Sequence, residues 1–185
     1  PVAEIHLFDS GTFKPHTAFR APGAATIEEL QKRMPKVEYY ANRYGHMHRG
    51  VKVHPYNLTS NNITELQGFD FVFVCVDTGA ARKLITSFLM EGRIPFVDAG
   101  MAVSLDTETM TLSGICRATL GTPEASDHLG SCLPVSGDDE DHVYRTNIQI
   151  ADLNAANALL AVFLFKQRFG FYANDLHPHH LTFAR

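Results

Sequence analysis

The middle of the chain contains the pattern that most limits its fold. Residues 69–76, Phe-Asp-Phe-Val-Phe-Val-Cys-Val, are almost wholly apolar and rich in β-branched and aromatic side chains, which is typical of a strand buried on both faces. A helical pattern follows over 80–90, and a second buried strand is predicted over 94–97, ending at Asp98-Ala99-Gly100. A strand, a helix and a strand within this distance predict a βαβ unit with parallel strands.

Shorter elements are predicted before this unit. Apolar residues predict strands over 4–8 and 51–54. Residues 26–29 fit a capping box at the start of one helix, and Pro35 suits the first turn of another. The segment 12–23 contains two prolines and a glycine, which predicts a loop.

The pattern changes in the second half. Strands predicted over 101–105 and 110–117 are joined by a polar turn, which indicates an antiparallel hairpin. The remaining predicted elements are a loop over 121–141 with an acidic run at 138–141, a helix over 147–169 and a short strand over 181–183. Parallel strands followed by antiparallel ones predict an α/β fold, Rossmann-like and three-layered, in one domain over 1–185.

Composition excludes several classes of protein. The chain has 185 residues, of which 45% are apolar, enough for a hydrophobic core. Lys and Arg number 16 against 20 Asp and Glu, and this net charge of −4 argues against nucleic acid as a partner. The longest apolar run, 158–165, is too short to span a membrane. Three cysteines with no CxxC pair favour a reducing, cytoplasmic compartment.

Two acids follow predicted parallel strands, where ligands bind in open α/β sheets. Asp9 is placed to accept hydrogen bonds from ribose hydroxyls, and Asp77 to hold a divalent metal ion on a nucleotide's phosphates. Each is equally compatible with a turn-forming Asp. No glycine-rich phosphate loop precedes Asp9, so we expect the chain to be a fragment without its first strand and glycine turn.

Four segments together carry a family resemblance. They are Val-Cys-Val-Asp-Thr-Gly-Ala-Ala-Arg-Lys at 74–83, Ile-Pro-Phe-Val-Asp-Ala-Gly-Met at 94–101, Leu-Ser-Gly-Ile-Cys-Arg at 112–117 and Gln-Ile-Ala-Asp-Leu-Asn-Ala at 149–155. In order and spacing the set resembles the ThiF/MoeB/ubiquitin-activating E1 superfamily. The resemblance implies an ATP-dependent adenylyltransferase that joins AMP to the C-terminal carboxylate of a ubiquitin-like or sulfur-carrier protein, with Mg²⁺ and commonly as a homodimer.

The resemblance also assigns roles to individual residues. It implies that Asp9 binds ribose, that Arg20 and Lys36 contact phosphates, and that Asp77 holds the metal and takes part in catalysis with both cations. Arg82 belongs to the same motif as Asp77. Asn57 and Leu58 match the family's adenine-binding backbone, and Thr17 stands where the family usually has Asn.

Cys132 lies where thioester-forming or persulfide-forming members carry their nucleophile, although an incidental thiol is equally open. Cys75 and Cys116 are predicted to be inert core residues, and His177, His179 and His180 to belong to a packing tail rather than a metal site. Two other functions remain open. One is a non-catalytic E1-like scaffold, which the missing glycine loop favours, and the other is an NAD(P)-dependent oxidoreductase, for which Asp9 would serve equally well.

Overall fold

The structure is a computed structural model that describes residues 2–134, 150–172 and 178–185. The chain divides into two compact units, Pro1–Leu58 and Thr59–Arg185. Each unit is described by itself below. The acidic run at 138–141, the predicted start of the last helix at 147–149 and His177 lie outside the described residues.

The first unit is built on two parallel strands. The strand β1 (Ile5–Phe8) pairs in parallel with β2 (Val51–His54), with Ile5 opposite Val51. Three helices connect them: α1 (Pro15–Arg20), α2 (Ile27–Gln31) and α3 (Lys36–Tyr44). The capping box is confirmed, since Thr26 Oγ1 accepts from the Glu29 backbone N–H and the Glu29 carboxylate accepts from that of Thr26. The predicted loop over 12–23 was partly wrong, because α1 lies within it.

The second unit contains a four-stranded sheet. A 3-10 helix (Ile63–Leu66) comes first, and then the elements β3 (Val72–Val74), α4 (Gly79–Glu91), β4 (Phe96–Asp106), β5 (Thr111–Gly121), α5 (Leu129–Cys132), α6 (Ala151–Arg168) and β6 (His180–Ala184). The strand order is β3-β4-β5-β6, parallel between β3 and β4 and antiparallel afterwards. The predicted α/β arrangement of parallel followed by antiparallel strands is confirmed.

Helices cover both faces of this sheet. One face packs on α6 through a buried cluster of five apolar residues, namely Val97, Ala118, Leu120, Ala161 and Leu164. Fully burying a Val or Leu side chain, as at three of these positions, stabilises a fold by about 1.5–3 kcal/mol. Asp98 points to the opposite face because side chains alternate along a strand, and there it contacts Arg82 of α4. The second unit is therefore layered as helix, sheet and helix.

Two predicted strand ends were wrong. The expected break at Asp98-Ala99-Gly100 does not occur, and β4 continues unbroken to Asp106. The strand accommodates Asp98 because two arginines neutralise it, and Gly100 leaves room for the Arg117 guanidinium, which a Cβ would approach to 2.6 Å. In addition, β3 ends at Val74, so Cys75 lies past the strand rather than in the core.

Among the residues that the structure describes, no helix is both long enough and apolar enough to cross a membrane.

Candidate functional site

In the first unit, the ion pair between Asp9 and Lys36 is the centre of the predicted site. Asp9 directly follows β1, and Lys36 is the first residue of α3. The Lys36 Nζ lies 2.7 Å from Asp9 Oδ2, and both side chains are partly exposed. The structure thus brings a carboxylate and an ammonium group together at the carboxyl end of a parallel strand, where ligands of α/β sheets bind.

Gly11 makes this close approach possible. Its backbone N–H donates to Asp9 Oδ1, and its carbonyl accepts from the backbone N–H of Lys36 at 2.8 Å. A Cβ at this position would lie 2.7 Å from Asp9 Oδ1 and would also clash with the Lys36 side chain. The prediction from sequence missed Gly11, because its function depends on a lysine 25 positions later.

The other predicted residues of this unit lie at the end of α1 and after β2. Arg20 is the half-buried last residue of α1. The pKa of Tyr40 is raised, mainly because the hydroxyl is desolvated, and the charges of Arg20 and Asp9 act on it with opposite signs. Asn57 Oδ1 accepts from the Ser10 backbone N–H at 3.3 Å and so connects the segments after β1 and β2. Leu58, half-buried, is the next residue.

Thr17 has an unsatisfied buried hydroxyl. The residue is 6% exposed, and its Oγ1 has no hydrogen-bond partner among the residues described. Buried polar atoms in folded proteins almost always have a partner, so this hydroxyl is an exception to the usual pattern.

In the second unit, Asp77 lies between β3 and α4 and is exposed. Thr78 caps α4, since its Oγ1 accepts from the backbone N–H of Ala81 at 3.3 Å. Within the described parts of the chain, no group of three or more His, Cys, Asp and Glu side chains is arranged to hold a metal ion. A metal ion held by the Asp77 carboxylate would take its other ligands from water and a bound phosphate group.

Arg82 is buried beneath this turn. It is 2% exposed, and its Nε donates to Asp98 Oδ1 at 2.9 Å. Its Nη2 donates to the Val76 carbonyl at 2.8 Å and its Nη1 to the Pro134 carbonyl at 3.3 Å. Its predicted contact with nucleotide stays a prediction, and in the structure its guanidinium is engaged with the protein.

Asp98 connects Arg82 to a second arginine. Its Oδ2 accepts from Arg117 Nη1 at 2.6 Å, and Asp98 itself is fully buried. The sequence pattern missed this ion network, although an Asp within an apolar strand was a signal for it, because such a charge needs a buried partner.

The three cysteines differ in environment. Cys116 is fully buried, as predicted, and its Sγ donates to the Leu153 carbonyl at 3.2 Å. Cys75 has exposed surface, which corrects the prediction of a core residue. Desolvation and the negative charge of Asp98 nevertheless raise the pKa of its thiol to about 11. Cys132 is the partly exposed last residue of α5, and its role as nucleophile stays a prediction.

The histidine tail takes part in the sheet itself, because His180 is the first residue of β6 and the His179 carbonyl accepts from the Leu120 backbone N–H at 2.7 Å. His180 Nδ1 lies 2.9 Å from Thr119 Oγ1, and the ring of His179 lies 5.3 Å from that of His128. Burial lowers the pKa of His180, with smaller contributions from Arg117 and His128.

The sequence over residues 2–161 matches the model of the ThiF family. This match covers most of the chain, so the protein belongs to the ThiF family and, with it, to the E1-like adenylyltransferase superfamily. No curated protein sequence matches the chain at a significant level.

A solved structure shares the fold. The chain resembles the crystal structure of selenomethionine PaaA with a TM-score of 0.57 and 14% sequence identity, over 96% of this chain. The chain spans 62% of the length of that PaaA chain. A likeness at this level of identity supports the Rossmann-like architecture and carries no information about substrate.

Proposed function

We propose that the protein containing this chain catalyses ATP-dependent adenylation of the C-terminal carboxylate of a ubiquitin-like or sulfur-carrier protein. One observation in particular supports this proposal. In a chain of the ThiF family, Asp9 and Lys36 pair at 2.7 Å at the carboxyl end of a parallel strand, and a glycine keeps the space between them open. An ammonium group that a carboxylate holds in place is suited to meet a phosphate oxygen.

The donor set fits ATP and Mg²⁺ in chemical terms. The Asp9 carboxylate accepts from ribose hydroxyls, while Lys36 and Arg20 offset the negative charge of the phosphates. Asn57 and Leu58 supply backbone groups for the adenine. Asp77 offers the carboxylate oxygen that Mg²⁺ prefers, and the ion itself reduces the repulsion between the attacking carboxylate and the phosphate.

The partner side of the reaction is proposed from family membership. A carrier protein presents its C-terminal carboxylate to the α-phosphate, and pyrophosphate leaves. The thiol of Cys132 is then the candidate to attack the activated carboxyl carbon, with AMP as the leaving group. We further propose that the protein acts as a homodimer in the cytoplasm, as is common for this superfamily.

ATP–pyrophosphate exchange with the full-length protein and candidate carriers tests the proposal. We expect carrier-dependent exchange that Lys36→Met lowers by about 100-fold, since a charge-assisted contact to phosphate is lost. Lys52→Met is the matched control, because Lys52 is also ion-paired in the first unit, at 3.8 Å from Glu4, but lies outside the proposed site.

The same assay separates the alternatives. Absence of exchange together with binding of a carrier protein would favour a non-catalytic scaffold. A calorimetric titration in which NAD binds and ATP with Mg²⁺ does not would favour an oxidoreductase. Equal loss of exchange in Lys36→Met and Lys52→Met would remove the support that the Asp9–Lys36 pair gives.

A further inference from the structure

The strongest unexplained feature of the second unit is the buried ion network of Asp98, Arg82 and Arg117. Asp98 is 0% exposed, and its two oxygens accept from two different arginines at 2.9 and 2.6 Å. The network joins one helix to two strands, because Arg82 belongs to α4, Asp98 to β4 and Arg117 to β5.

Stability alone does not account for such a network. Removing charges from water is costly, and apolar side chains of similar volume are often as stabilising or more so at such positions. In some proteins a buried ionic group instead fixes a geometry that apolar packing would leave loose. The question is therefore which part of the molecule this network holds in place.

Arg82 also contacts the backbone beside Asp77. Its Nη2 donates to the carbonyl of Val76 at 2.8 Å, and Val76 is directly followed by Asp77. The guanidinium is rigid and planar, so fixing Nε on Asp98 also fixes the direction of Nη2. On the other side of Asp77, Thr78 is held at the start of α4, because its Oγ1 accepts from the Ala81 backbone N–H. The peptide that carries Asp77 is thus held at both of its neighbours.

We propose that Asp98 and Arg82 are positioning residues that orient the Asp77 carboxylate toward Mg²⁺. This inference rests on the proposed function, in which Asp77 holds the metal ion. Asp98 acts through Arg82, and Arg82 acts through the Val76 carbonyl. In this proposal neither Asp98 nor Arg82 touches the metal ion or the nucleotide. The proposal therefore differs from one in which Arg82 binds a phosphate directly.

The dependence of exchange activity on Mg²⁺ concentration tests the proposal. We expect Asp98→Asn to raise the Mg²⁺ concentration for half-maximal activity by roughly 10- to 100-fold, the range found for residues that orient metal ligands. The Asp77→Asn/Asp98→Asn double variant should be little worse than Asp77→Asn alone, because both changes act on one carboxylate.

Val97→Ala is the matched control for loss of stability. Val97 is the neighbouring residue of β4, is equally buried, and packs on the opposite face of the sheet. We expect it to lower the melting temperature without moving the Mg²⁺ midpoint. If Asp98→Asn does not fold, Arg82→Lys serves instead, because lysine keeps the charge but cannot hold three acceptors in a fixed plane.

A second readout needs no activity. Hydrogen exchange of the peptide 75–80 should be at least about tenfold faster in Asp98→Asn or Arg82→Lys than in a Val97→Ala protein of equal melting temperature. Faster hydrogen exchange in these variants of a protein that shows no ATP–pyrophosphate exchange would support the role of the network and contradict the proposed function. An unchanged Mg²⁺ midpoint in Asp98→Asn, or a hydrogen-exchange rate of peptide 75–80 equal to that in Val97→Ala, would overturn the positioning role. If Arg82→Lys, but not Asp98→Asn, raises the KM for ATP at saturating Mg²⁺, Arg82 contacts a phosphate directly, and the positioning role is overturned as well.

Discussion

Gly11 leaves the space that the end of the Lys36 side chain occupies, since a Cβ on Gly11 would lie 2.8 Å from Lys36 Nζ. The glycine also donates its backbone N–H to Asp9, the partner of Lys36. One small residue therefore determines whether the two charged groups of the candidate site can meet.

Gly11→Ala should separate the ion pair and leave the fold intact. The atoms that a methyl group would displace are ends of flexible side chains, so we expect the free energy of unfolding to change by less than about 1 kcal/mol. Loss of one charge-assisted contact should weaken ATP binding by about tenfold or more, measured by calorimetry on the full-length protein. Gly130→Ala is the control, because a Cβ there meets no atom within 4 Å. Equal affinity in both variants would contradict the role assigned to Gly11.

Asp98→Ala should be among the most destabilising substitutions in the chain. It leaves the guanidinium groups of Arg82 and Arg117 without their buried counterion. Removing one partner of a buried pair costs about 3–5 kcal/mol, which urea denaturation measures. Glu124→Ala removes an exposed partner of Arg168 and should hardly change the midpoint. A small effect of Asp98→Ala would show that the network is not held as described.

The thiol of Cys75 should be slow to react although the residue is exposed. Its pKa of about 11 leaves little thiolate at pH 7.5, so alkylation should be roughly 100-fold slower than for a thiol with the ordinary pKa of 9.0. The raised pKa also favours the folded state while the thiol is neutral. This stabilisation is complete below the ordinary value of 9.0 and is lost as pH rises toward 11. Peptide mass spectrometry after timed iodoacetamide treatment, with N-acetylcysteine as the reference, measures the rate. A rate at pH 7.5 equal to the reference would contradict the raised pKa.

Thr78→Ala should loosen the first turn of α4. The variant removes the acceptor for the Ala81 backbone N–H, and loss of such a cap typically costs about 1 kcal/mol. Thr78→Ser keeps a hydroxyl and should retain most of the stability. Equilibrium denaturation of both variants measures the difference, and indistinguishable midpoints would show that the cap contributes nothing.

The elements predicted correctly are those whose sequence signals lie within a few residues of one another. The capping box at Thr26 and Glu29 depends on residues three apart, and the hairpin of β4 and β5 depends on a polar turn between apolar runs. Both appear in the structure as the sequence indicates. The family resemblance assigned Asp9 and Lys36 to separate contacts with the nucleotide, and it did not predict that these two residues, 27 positions apart, form an ion pair.

The features that the sequence did not reveal depend on partners far along the chain. The expected end of a strand at Asp98 follows from the usual preference of Asp for turns. Two arginines, 16 positions before it and 19 after it, override that preference by neutralising the carboxylate inside the sheet. Cys75 was placed in the core because the apolar run continues through it, whereas strand pairing ends one residue earlier.

The shared counterion also constrains how this protein can change through evolution. Because Asp98 is the shared counterion of Arg82 and Arg117, its loss leaves two guanidinium groups without a partner, whereas loss of Arg117 leaves the one-to-one pair of Asp98 with the buried Arg82. A lineage that loses Asp98 should therefore replace Arg82 in concert, while Arg117, which is 17% exposed, can change alone.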